Sequence, residues 1–322
     1  MAWLVGRNLR RGSQGLAAVP AGYGLGLAGV GVFAVGGVGD AIWHSVFGVE
    51  ADLAALLSPT HLLLFTGILL ILTSPLRAAW TSDGATAPGF RAFLPVTLAL
   101  TLTTALVGFF FQYLSPFLQP AAVPHARFAS FWAEHGLVES AAQPGLAQEL
   151  EIRGIAALLL TSLLFVAPVL LLLRRWQPPP GTVTVLFGGV AALLGAQHNF
   201  QLWPAVVAAV AAGLAGDLLI RAWRPSPDRL GAYRAVAALL PAALLGTYVA
   251  AVAVVFTLAW PPELWAGTIL YGALTGLALS VLAVPPPHPR ERGSGRQDDQ
   301  LGVAADPGRV GDHVAVHLED LR

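Results

Sequence analysis

Long apolar runs separated by short polar breaks dominate this chain. A helix that crosses the hydrocarbon core of a bilayer needs roughly 20 apolar residues. The sequence supplies eight such runs, at about 17–43, 59–79, 92–115, 152–174, 182–200, 203–222, 234–259 and 264–284. Only Gln201 and Leu202 part the fifth run from the sixth. Pro204 suits the first turn of the sixth helix, where its missing N–H has no intrahelical partner in any case. The fold class expected is all-α, a polytopic membrane bundle of about eight transmembrane helices. A transmembrane domain fills 1–284, with one long outer loop at about 115–151, and a Pro-, Gly- and charge-rich tail fills 285–322. Such a tail is expected to be disordered.

Arginine placement orients the bundle. With eight spans and a cytoplasmic N-terminus, the cytoplasmic segments hold 16 of the 18 arginines. These are Arg7, Arg10 and Arg11, then Arg77 and Arg91, Arg174 and Arg175, Arg221 with Arg224, Arg229 and Arg234, and the tail arginines. An odd number of spans breaks this bias from the missed helix onward. Both termini are therefore expected in the cytoplasm, and the membrane is expected to be the plasma (inner) membrane. Tryptophan, which prefers the interface, agrees: Trp43, Trp203, Trp260 and Trp265 fall at outer ends, and Trp80, Trp176 and Trp223 at inner ends.

Composition narrows the chemistry. The chain is 56% hydrophobic and 11% charged, with mean hydropathy +0.68, against about 25% charged in soluble domains. The lipid bilayer is its first partner. Net charge is zero, so no electrostatic nucleic-acid binding is expected. Cysteine is absent and every basic residue is arginine. Thiolate sites, disulfides and Schiff-base lysines are thereby excluded. No P-loop, dinucleotide fingerprint, His-Glu-x-x-His or Gly-x-Ser-x-Gly occurs.

The densest set of metal-ligand types lies in residues 40–61, between the first two runs: Asp40, His44, Glu50, Asp52 and His61. Asp40 and His44 are four apart, hence on one helix face, and His61 opens the neighbouring helix. His44, His61, His125, His135 and His198 all fall on the outer side of the predicted topology. The metal set read from this is Asp40, His44, His61 and His198, with Glu50 as a candidate catalytic base or additional ligand. Gln112, Gln197 and Asn199 are candidate supporting donors. Nitrogen and oxygen ligands suit a divalent transition metal, Cu, Zn or Fe, and a three-ligand set with an open position is the catalytic pattern. The competing reading is a hydrogen-bonded Asp–His pair that fixes the loop, with Ser58 as an N-cap. Asp217 is expected to pair with Arg221 at i+4. Glu134, His135 and Glu139 read as a solvated surface helix in the outer loop, and Glu149 and Glu151 as acids at the start of the fourth helix.

Asp40-x3-His44 followed by His61 resembles the metal-ligand pattern of the membrane C subunit of particulate methane and ammonia monooxygenases. The resemblance covers those three residues and implies copper held by a membrane helix pair. The functional expectation is a multi-pass membrane protein with a His/Asp metal pocket at the outer face. It would serve as a metal-dependent enzyme, oxidising or hydrolysing a small or lipid-like substrate, or as a metal-handling or assembly protein. Two other classes stay open. One is a small-solute or ion transporter using Asp217 and the threonines of the third run. The other is a non-catalytic membrane protein that binds a protein partner through its outer loop.

Overall fold

The computed structural model describes residues 6–7, 10, 18–49, 53–124 and 146–285. Every regular element among them is helical. Ten α-helices follow one another: α1 Gly24–Phe47, α2 Leu53–Leu56, α3 Pro59–Leu72, α4 Ser74–Thr81, α5 Phe90–Phe110, α6 Leu146–Leu173, α7 Thr182–Ala196, α8 Trp203–Trp223, α9 Leu230–Val255 and α10 Pro262–Ala283. Together α3 and α4 fill the second apolar run as one span, and among the described residues seven helices, rather than the eight expected, are long and apolar enough to cross a membrane. The expected disordered tail and the outer loop between 125 and 145 lie outside the described residues, as do Glu50, Asp52, His125, Glu134, His135 and Glu139.

The fifth run is shorter than its apolar length suggested. Its helix, α7, has 15 residues, a length of about 22 Å. The run reads apolar to Phe200, but Asn199 and Phe200 take left-handed φ values of 49° and 56°. That conformation is costly for residues with a β-carbon and cannot continue a right-handed helix. The first helix also starts later than expected. A turn, in which the Tyr23 amide donates to the Pro20 carbonyl at 3.0 Å, precedes it.

Two sub-assemblies pack differently. In the first, α1 lies antiparallel along α3 with backbones in close approach. A β-carbon on Gly67 would come within 2.7 Å of the Phe33 backbone nitrogen, and one on Gly36 within 3.0 Å of the Leu64 nitrogen. Small residues bring membrane helices this close because van der Waals packing, rather than hydrophobic exclusion, drives their association. The rest of α1 stays uncovered, with Val35, Val38, Ile42 and Val46 all more than half exposed, as suits a lipid-facing surface.

In the second, α5 to α10 form a tightly filled core around Phe165, Phe187, Leu186, Val190, Tyr233 and Leu240. Two buried tyrosines in it are satisfied by main-chain carbonyls, whereas the Thr103 and Ser115 hydroxyls are buried without a partner among the described residues. Tyr233 Oη donates to the Leu170 carbonyl at 2.9 Å, and Tyr248 Oη donates to the Ala121 carbonyl at 2.9 Å.

Contacts between the helix ends fix the alternation. At one end Trp80 and Trp176 meet edge to face, with centroids 5.2 Å apart. There Arg175 Nη2 donates to the Ser82 carbonyl at 2.6 Å and Gln177 Nε2 to the Pro225 carbonyl at 2.8 Å. At the other end the Ala259 amide donates to the Ala122 carbonyl at 2.8 Å, the tilted rings of Phe65 and Phe110 meet with centroids 4.4 Å apart, and Leu194 sits over Gly108. Arg77, Arg174, Arg175, Arg221 and Arg224 thus gather at the first end, and Asp40, His44 and His61 at the second.

Candidate metal centre

Local sequence builds the centre from two helix termini. Asp40 and His44 occupy the last two turns of α1, and Gly48 follows with φ 83°, a conformation that glycine adopts at little cost. Ser58 caps α3: its Oγ accepts the His61 amide at 3.3 Å, with Pro59 at the first helical position. This cap sets His61 on the turn of α3 that faces α1.

Asp40 is the hub. Its Oδ2 lies 3.4 Å from His44 Nε2, and its Oδ1 lies 3.3 Å from His61 Nδ1. Thr60 Oγ1 donates to Asp40 Oδ1 at 2.8 Å. Ser58 Oγ stands 2.7 Å from His61 Nδ1 and 3.2 Å from Thr60 Oγ1. One ligand atom from each of Asp40, His44 and His61 lies within 4.8 Å of the other two. The imidazole rings are 6.0 Å apart and nearly perpendicular. The three side chains are 20–29% exposed, while Ser58 and Thr60 beneath them are buried.

Hydrogen bonding constrains the protons. His44 Nδ1 lies 3.1 Å from the Gly48 carbonyl. A carbonyl only accepts, so this partner assigns a proton to Nδ1. Nε2 then points at a carboxylate oxygen with a lone pair. That arrangement is repulsive unless a positive charge stands between them, either a proton on Nε2 or a metal ion. Metal-binding histidines usually donate their other ring N–H to a carbonyl or carboxylate, which fixes the tautomer. His44 already has that bond. His61 Nδ1 stands 2.7 Å from Ser58 Oγ and 3.3 Å from Asp40 Oδ1, so without a metal it either donates a proton to one of them or accepts the Ser58 proton, and with a metal its lone pair is the ligand.

Helix electrostatics favour the same charge distribution. The C-terminal end of α1 carries partial negative charge and attracts a cation. The N-terminal end of α3 carries partial positive charge and stabilises the Asp40 carboxylate.

The residues singled out by sequence fall into three groups. Asp40, His44 and His61 come together. His198 lies in the turn after α7, at the same end of the bundle but outside the cluster. The reason is lateral, since α3 and α7 both pack against α5. Gln112, Gln197 and Asn199 make no hydrogen bond to the cluster among the described residues. Glu50 lies outside the described residues. Sequence reasoning did not find Thr60 or the Gly48 carbonyl. The spacing of Thr60 next to a ligand was a weak signal, and a main-chain oxygen leaves none.

Asp217 has a different role from the expected pair with Arg221. Its Oδ1 accepts the Val183 amide at 3.0 Å, and its Oδ2 accepts the Thr184 amide at 3.0 Å and the Thr184 hydroxyl at 2.7 Å. The N-cap of α7 is Gly181, which has no side chain to offer. The neighbouring helix therefore supplies the capping carboxylate, across a contact where Gly213 lets the backbones approach and Gly216 makes room for the Val183 side chain.

Comparison with family models, with curated proteins and with solved structures finds no match. The functional reading rests on the geometry of this chain alone.

Proposed function

We propose that the protein is a multi-pass membrane protein that binds one divalent transition-metal ion through Asp40, His44 and His61. The observation that carries this reading is the convergence of the three ligand atoms within 4.8 Å. The fixed Nδ1 proton of His44 supports it by aiming the other ring nitrogen inward. Two imidazoles and one carboxylate suit Zn, Fe or Cu(II), and the monooxygenase-like Asp-x3-His pattern keeps copper in that set. Three protein donors leave positions for water or substrate, which is how catalytic rather than structural sites are built. With α7 counted as a short eighth crossing beside the seven long helices, the arginine bias supports a centre on the outer face of the plasma membrane.

The transporter reading loses support at Thr97, Thr101 and Asp217. The Thr97 hydroxyl donates to the Phe93 carbonyl at 3.3 Å and the Thr101 hydroxyl to the Thr97 carbonyl at 2.9 Å, both within their own helix. The Asp217 carboxylate is committed to α7.

Metal analysis of purified protein tests the proposal. After loading with Zn²⁺ or Cu²⁺ and desalting, the wild type is expected to retain about one equivalent. The variant carrying His44→Ala and His61→Ala is expected to retain almost none. Equal retention by the two proteins, at any level, contradicts the assignment.

A further inference from the structure

The arginine-rich end of the bundle contains a cleft that neither the fold nor the metal centre explains. It has a volume of about 320 Å³ and is lined by Ala87, Gln177, Pro180, Asp217, Arg221 and Arg224 among others. One wall is tied down by hydrogen bonds. Gln177 is held at both ends, by its backbone amide donating to the Thr86 carbonyl at 2.8 Å and by its side chain donating to the Pro225 carbonyl. Pro178 and Pro180 form one rim, and Ile220 forms part of the apolar floor.

The charges in this cleft are unequal in their commitments. Asp217 is saturated by two amides and a hydroxyl at the start of α7, where the helix dipole offsets its charge. Arg221 and Arg224 are exposed, and among the described residues neither guanidinium has a hydrogen-bond or ion-pair partner. They stand three residues apart in sequence at the end of α8, with the Arg224 amide bonded to the Ile220 carbonyl at 2.9 Å. The contrast with Arg77 and Arg175 is informative. At the same end, Arg77 donates to the Gly22 and Leu70 carbonyls. Arg175 donates to the Ser82 carbonyl and lies over the Trp80 and Trp176 rings.

We propose that this cleft binds a phosphate group, with Arg221 and Arg224 as its ligands and the apolar floor accepting what the phosphate is attached to. Guanidinium is the side chain best shaped to hold phosphate oxygens. Basic recesses between membrane helices at the arginine-rich face take anionic headgroups. The shared chemistry is a phosphate monoanion. Its sources are an anionic phospholipid headgroup and free inorganic phosphate.

The test uses the full chain in neutral detergent and reads binding from the thermal unfolding midpoint as ligand is titrated. The ligands are phosphatidylglycerol, phosphatidylcholine and inorganic phosphate. The wild type is expected to be stabilised by phosphatidylglycerol in a saturable way and not by phosphatidylcholine. Stabilisation by inorganic phosphate as well assigns the site to phosphate in general. Stabilisation by phosphatidylglycerol alone assigns it to the lipid. Arg221→Gln with Arg224→Gln is expected to weaken the affinity roughly 30-fold, from about fivefold per arginine. Arg91→Gln with Arg229→Gln removes the same charge from the same end outside the cleft and is expected to leave it unchanged. Ala87→Trp fills the cleft, keeps both guanidiniums and is expected to abolish saturable binding. No saturable stabilisation of the wild type by phosphatidylglycerol or phosphate overturns the proposal. Equal weakening by the two arginine pairs, or unchanged binding in Ala87→Trp, overturns it too.

Discussion

Asp217→Ala is expected to destabilise the folded bundle by about 3 kcal/mol, close to the upper range for hydrogen bonds to a charged group. The carboxylate accepts from two consecutive amides and one hydroxyl at the start of α7. Helix N-termini leave amides without intrahelical partners, and the glycine at the N-cap of α7 cannot supply one. Removing Asp217 strands the Val183 and Thr184 amides at the start of α7. Asp217→Asn keeps acceptor oxygen on the side chain and loses the charge, so a loss of about half that size is expected. Arg221→Gln is expected to change stability by less than about 0.5 kcal/mol, as a surface substitution. Reversible unfolding in mixed detergent micelles checks all three. Equal losses in Asp217→Ala and Arg221→Gln would restore the ion pair that the sequence suggested.

Gly67→Val is expected to pull α1 from α3 and to weaken metal binding at least tenfold, the size seen when support around a metal ligand is removed. The β-carbon alone would stand 2.7 Å from the backbone nitrogen and Cβ of Phe33 and 2.8 Å from its Cα. Backbone atoms cannot rotate away, so the helices must separate. Overpacking of this kind costs about 1–3 kcal/mol. The metal centre is held together only by this crossing, because Asp40 and His44 ride on α1 and His61 on α3. Gly31→Ala provides the control. Its β-carbon meets nothing within 4 Å, and alanine favours a helix over glycine by about 1 kcal/mol. Metal affinity is expected to hold in this control. A tenfold loss in Gly31→Ala, or none in Gly67→Val, would show that the crossing does not position the ligands.

Much of the architecture could be read from hydropathy, because a bilayer demands long apolar helices and little else produces them. The runs at about 59–79, 203–222 and 264–284 match helices that start within two residues of the expected position. The second run showed no sign of its division at Thr73. That break comes from Pro75, which cannot donate to the Ile71 carbonyl, while Arg77 reaches back to the Leu70 carbonyl. The shortness of α7 was hidden because Phe200 is apolar and yet left-handed. Asp40 and His44 were legible as a pair because helical spacing fixes their common face. His61 was legible because a short connection makes α1 and α3 neighbours.

His198 shows the limit of such reasoning. Counting spans assigns a residue to one end of the bundle, and His198 does follow α7 at the end where Leu194 meets Gly108. Lateral position follows from which helices pack together, and α5 is the common neighbour of α3 and α7. Asp217 shows the same limit, since its partners lie 33 and 34 residues away in sequence. Its helical neighbour Arg221 was only the nearest candidate. The Gly48 carbonyl, which fixes the His44 tautomer, could not be read from residue types.

Metal-edge X-ray absorption on the protein loaded with one equivalent of Cu²⁺ or Zn²⁺ tests the three-ligand centre most directly. The expected spectrum shows multiple-scattering features of about two imidazoles per metal, completed by oxygen donors, as two histidines and one carboxylate require. His44→Ala is expected to reduce the imidazole count to about one, and His44→Ala with His61→Ala to remove ordered metal altogether. Two imidazoles in the wild type that persist in both variants would place the metal elsewhere in the chain and contradict the assignment to Asp40, His44 and His61.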